Sequence, residues 1–161
     1  MKAHRPTWLF DGSDIPDPFG YGERAVGFLR RLQHPKSETG GLDLPLFWER
    51  IARRIYGPAY PDGRRQVRTA FIMLPRGARK TTVGASLALL HTVGYERTPN
   101  GQAMVAASAE EDAALAYDEA VGIIKTTPWL TGAMKLNEST FVLEHKRSGA
   151  KFRALASGGK G

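Results

Sequence analysis

Residues 71–86 read FIMLPRGARKTTVGAS, and no other stretch restricts the fold as much. The run QVRTAFIML is short, β-branched and aromatic, and Pro75 ends it. A basic turn from Pro75 to Arg79 follows, and Lys80, Thr81 and Thr82 open a second apolar stretch. The pattern predicts a buried strand, a tight turn and a helix from about Lys80 to Val93. That is the order of parts in a phosphate-binding loop. There, inward-turned N–H groups and a helix start hold the oxygens, a lysine reaches the outer phosphates, and a hydroxyl ligates Mg²⁺. The usual G-x-x-x-x-G-K-[ST] spacing is not met, because Met73 or Leu74 stands near the first glycine's place and Arg79 fills the second's. A non-glycine residue held there at positive φ costs roughly 1–2 kcal/mol, which phosphate contacts would offset. An arginine facing a triphosphate would contribute to that offset. The competing reading is a basic turn before an ordinary helix.

The rest of the chain supplies a core to build on. After a proline-broken extension (Pro6, Pro16, Pro18), YGERAVGFLRRLQ carries Val26, Leu29 and Leu32 on one stripe, the spacing of an amphipathic helix. HPKSETGG reads as a linker. LDLPLFWERIARRIYGP predicts a second helix, with Asp43 as its cap, Pro45 in the first turn and Gly57-Pro58 as its stop. Phe47, Ile51 and Ile55 recur on it every four residues, with Trp48 and Ala52 beside them.

Beyond the loop, QAMVAA is a strand candidate. Ser108 and Glu111 have the spacing of a capping box at the head of another helix, whose inner face is Ala113, Ala116, Ala120, Ile123 and Ile124 and which Pro128 stops. The pairs Glu110-Glu111 and Asp118-Glu119 on that helix read as a solvated face. STFVLEHKRSGAKFRALAS alternates on either side of KRSG, a hairpin pattern. Strand–helix–strand–helix order implies an α/β fold with a parallel sheet and flanking helices.

Composition narrows the partners. Lys plus Arg total 23 against 16 Asp plus Glu, a net charge of +7, which favours a polyanion such as nucleic acid or nucleotide phosphates. There is no cysteine, so disulfides and thiolate metal sites are excluded. His4, His34, His91 and His145 show no ligand spacing, so no protein-held metal is expected. No apolar run approaches the ~18 residues of a membrane span. Gly158, Gly159 and Gly161 have no strand-to-helix context and read as a flexible chain end.

FIMLPRGARKTTVGASLALLHT resembles the nucleotide-binding stretch of the large terminase subunits of tailed bacteriophages, the ATP-driven motors that package DNA. That family has a deviant loop of the type P-R-G-x-x-K-T, which Arg76, Lys80 and Thr81 match. LPLFWERIARRIYG is similar to its adenine-side segment, with Trp48 matching and Glu49 in place of the usual glutamine; Trp48 reads equally as a half-buried core aromatic. QAMVAASAEEDAALAYDEAVGIIKTTPWL is similar to the family's next strand and helix, and SGAKFRALAS to its hairpin. The similarity covers about residues 42–158.

The resemblance implies a P-loop NTPase-like fold that is incomplete, because the strand ending in Asp-Glu and the later elements do not occur. It divides the chain into an extension with a short helix and linker (1–42) and the front portion of an ATPase domain (43–161). It implies a fragment, a truncated gene or part of a subunit, catalytically incomplete alone and without the nuclease domain. The cofactors implied are ATP and Mg²⁺. Pro75, Gly77, Ala78 and Arg79 form the turn, and Lys80 binds the β- and γ-phosphates. Thr81 ligates Mg²⁺, Thr82 donates at the helix start, and Arg76 stands near the γ-phosphate; Arg76 and Lys80 are the catalytic candidates. The partners implied are double-stranded DNA, a homo-oligomeric ring at a portal protein and a small terminase subunit, in the cytoplasm of an infected bacterium and with no membrane. Two other readings fit the residues: a helicase-like P-loop ATPase, and a non-catalytic basic DNA-binding module.

Overall fold

The computed structural model describes residues 13–156. His4 and the glycines from Gly158 onward lie outside them. The described residues form two compact units: one comprises those up to Gly27 with Leu44–Phe71, the other Phe28–Asp43 with those from Ile72 onward. Helix α1 (Tyr21–Arg30) contains the first boundary. Its stripe is as expected, since Val26, Leu29 and Leu32 are fully buried.

In the first unit, α2 (Leu46–Tyr56) starts after Pro45 and ends at Gly57. Asp43 does not cap it. The Asp43 carboxylate instead accepts hydrogen bonds from the hydroxyls of Ser37 and Thr39. The buried stripe is Trp48, Ile51, Ala52 and Tyr56, rotated from the expected one so that Phe47 and Ile55 are only half-buried. Gly57 is required by close packing: a Cβ there would meet the Arg53 carbonyl at 2.7 Å and the Pro16 carbonyl at 2.8 Å.

The second unit is a mixed sheet with helices against it. Strand β1 (Gln102–Ala107) lies parallel to β4 (Lys151–Ala156), with Gln102 opposite Lys151 and Ala107 opposite Ala156. Strand β3 (Val142–His145) is antiparallel to β4, and β2 (Met134–Asn137) is antiparallel to β3, giving the order β1-β4-β3-β2. The hairpin around KRSG thus forms as its alternation predicts, while among the described residues the parallel sheet is realised only at β1–β4. The short strand MKLN was not anticipated; four residues carry too little alternation to be recognised alone.

Helix α3 (Lys80–Thr92) packs on β1, α4 (Glu110–Thr126) packs on β4, and the two helices pack on each other. Small residues allow this approach: Ala85, Ser86 and Ala88 on α3 and Ala113, Ala116 and Ala120 on α4 are all buried. Leu143 and Phe152 fill the sheet side of the core. Helix α4 is preceded by Ala109 with no side-chain cap, so the Ser108–Glu111 box does not form. After Thr127, Pro128 opens a one-turn helix, α5 (Pro128–Thr131).

The strand expected over QVRTAFIML is absent. Residues 67–74 have no regular secondary structure, and Phe71 and Met73 are 80% and 77% exposed. A strand exists only through its ladder, and among the described residues none pairs with this segment.

Candidate functional site

The turn before α3 is built by two left-handed residues. Gly77 has φ +86, with open space where a Cβ would be, and Arg79 has φ 55 and ψ 32 as the residue preceding the helix. Between them the N–H of Ala78 bonds the Pro75 carbonyl at 3.4 Å. The glycine at 77 removes the steric cost at one position, and Arg79 carries it at the other. The chain therefore curls through Pro75–Arg79 rather than running straight into the helix.

Helix α3 then begins without a side-chain cap. The N–H of Val83 closes the first turn on the Arg79 carbonyl at 3.0 Å. Among the described residues, the N–H groups of Lys80, Thr81 and Thr82 have no hydrogen-bond acceptor. Such N-terminal groups, with the positive end of the helix dipole behind them, are the ordinary donors to a bound anion. The Lys80 ammonium folds back across the turn to the carbonyls of Leu74, at 2.8 Å, and Pro75, at 3.3 Å. It lies over the loop and not out along the helix. Arg76 and Thr81 are exposed beside it.

Arg79 is placed differently from the phosphate-facing arginine expected. Its Nη1 donates to the Leu42 carbonyl at 2.9 Å and the Asp43 carbonyl at 3.3 Å. These bonds offset the left-handed backbone, which costs about 1–2 kcal/mol in a residue with a Cβ. Asp43 is itself left-handed, at φ 48. Hydrogen bonds from Ser37 and Thr39, with the nearby Arg79 charge, hold its carboxyl below the ordinary value.

Thr82 turns its hydroxyl sideways to Glu119 Oε2, 2.9 Å away on α4. The same oxygen meets His34 Nε2 at 3.0 Å. His34 Nδ1 accepts the Lys36 N–H at 3.2 Å, which assigns the ring proton to Nε2, facing the carboxylate. Burial opposes ionisation of Glu119, but the bonds from His34 and Thr82 outweigh it and keep the carboxyl below its ordinary value. The reading of this helix face as solvated is therefore corrected at Glu119, while Glu110, Glu111 and Asp118 are exposed as expected. Sequence reasoning missed Glu119 because its partners are 37 and 85 residues away.

Trp48 and Glu49 belong to the first unit. Both are buried, Trp48 to 4% exposure, and Glu49 Oε2 accepts from Arg53 at 3.2 Å. No cluster of three metal-ligating side chains occurs among the described residues, and none of their helices is long and apolar enough to cross a membrane.

The chain matches no protein-family model and no curated protein. Among solved structures, the crystal structure of the HK97 bacteriophage large terminase aligns with 87% of this chain at a TM-score of 0.77 and 26% identity. The alignment takes in 28% of that protein's length. Fold and sequence together therefore support the resemblance of this chain to part of a large terminase subunit.

Proposed function

We propose that this chain is the ATP-binding part of a phage large terminase subunit, the motor that drives viral DNA into a procapsid. The observation that carries the reading is the start of α3: a left-handed turn, three uncommitted N–H groups, and the Lys80 ammonium folded over the loop. Donors of this kind suit a phosphate tail, because phosphoryl transfer is governed by positioning and charge. Lys80 would hold the β- and γ-phosphates, Thr81 the Mg²⁺ that accompanies ATP, and Arg76 the γ-phosphate end. The metal would supply charge neutralisation on the phosphate oxygens. Double-stranded DNA, a ring of like subunits at a portal protein and a small terminase subunit are the partners proposed.

The test is Mg-ATP binding. Lys80→Ala should abolish it while leaving the circular dichroism spectrum unchanged, since the side chain is exposed. Equal affinity in the variant and the unmodified chain would reject the assignment.

A further inference from the structure

Residues 33–43 form a strap that is anchored at two places along α4, at Thr127 just past its end, and at the head of α3. The Gln33 N–H bonds Thr127 Oγ1 at 2.9 Å. Pro35 lies over Gly122, where a Cβ would meet its ring at 3.2 Å, so only glycine allows this approach without displacement. His34 reaches Glu119, whose carboxylate also binds Thr82 in the first turn of α3. The strap then folds on itself, with Gln33 bridged to Gly41. It ends with its carbonyls at Leu42 and Asp43 facing Arg79. Arg79 is thus a strained residue whose guanidinium is occupied by main chain, at the point where the loop becomes the helix.

We propose that Arg79 is a positioning residue for the phosphate loop, and that it acts through this strap. The carbonyls of residues 42 and 43 hold the guanidinium, the guanidinium holds the left-handed turn, and that turn aims the N–H groups of Lys80–Thr82 at a polyphosphate. The inference rests on the nucleotide-binding reading above and deepens it. In a loop with glycine at this position the turn is free to form and free to relax. Here it is fixed by a side chain whose partners lie in another part of the chain, so strap and nucleotide are thermodynamically coupled: what orders one favours the other. An arginine acting as a direct γ-phosphate ligand would behave differently, because it would distinguish ATP from ADP.

Three variants, Arg79→Ala, Arg79→Lys and Arg79→Gly, would be compared with the unmodified chain. Amide hydrogen exchange would follow residues 33–43, and titration would give affinities for Mg-ATP and Mg-ADP. Arg79→Ala should accelerate exchange across the strap and weaken both nucleotides by the same factor, about tenfold. Arg79→Lys, which keeps a donor, should recover part of both effects. Arg79→Gly, which loses the tether but relieves the backbone, should fall between alanine and the unmodified chain in affinity while its strap exchanges as fast as alanine's. If Arg79→Ala fails to fold, Arg79→Lys and Arg79→Gly carry the comparison. Loss of ATP affinity with ADP affinity and strap exchange unchanged would overturn the proposal in favour of direct ligation. A loosened strap with both affinities intact would overturn the positioning role alone. Absence of Mg-ATP binding in the unmodified chain would instead remove the phosphate reading itself.

Discussion

Glu119 and His145 are two of the side chains through which acid should act on the second unit. Glu119 has its carboxyl held down by His34 and Thr82 against the opposing effect of burial. Its folded value lies below the unfolded one, so the stability it contributes is fully present above about 4.5 and is lost as pH falls through the folded value. The expected result is that Glu119→Gln is less stable than the unmodified chain at pH 7 and that the gap closes below pH 4.5 in urea unfolding. His145 works in a different window. Burial first, then the charges of Arg97 and Arg147, push its imidazole below 6.5. The unfolded chain then binds the proton more readily, so stability falls as pH drops below 6.5. His145→Gln should flatten the slope of stability against pH just below 6.5. Neither effect was legible in the sequence, where both residues stand among ordinary polar neighbours. Arg79 was legible as a departure from the loop pattern, but its acceptors are carbonyls 36 and 37 residues away, and main-chain groups leave no signature in a residue string.

Helices α3 and α4 and strand β1 were readable because their signals are local: small residues at helical spacing, and a short apolar run between turns. Failures came where an element depends on a partner. The segment at residues 67–74 has the composition of a buried strand, yet Phe71 and Met73 face solvent because no ladder forms. Its amides are expected to exchange in the fastest class, and Phe71→Ser and Met73→Ser should each shift stability by no more than about 0.5 kcal/mol. On the buried face of α4 the opposite holds. Ala120 is fully buried on α4, and a longer side chain has nowhere to go. Ala120→Leu should cost about 1–3 kcal/mol through overpacking, read as a lower urea midpoint with an unchanged slope. Serine substitutions at residues 71 and 73 that proved as costly as Ala120→Leu would mean that this segment is packed after all.

For the molecule as a whole, charge and nucleotide chemistry make separable claims. The excess of 23 basic over 16 acidic residues predicts attraction to DNA by counterion release, with affinity falling linearly in log K against log salt. A passive basic module would show that slope and nothing else. A nucleotide-binding unit should also gain stability by mass action, about 2.7 kcal/mol at a ligand concentration 100 times Kd. For a chain of this size, that is a rise in melting temperature of roughly 5–11 °C. The gain should require Mg²⁺, persist in high salt where DNA binding is lost, and vanish in Lys80→Ala. A thermal shift that instead tracks ionic strength, and survives in Lys80→Ala, would mean that the polyphosphate is binding the basic surface in the way DNA does. The loop before α3 would then have no part in it.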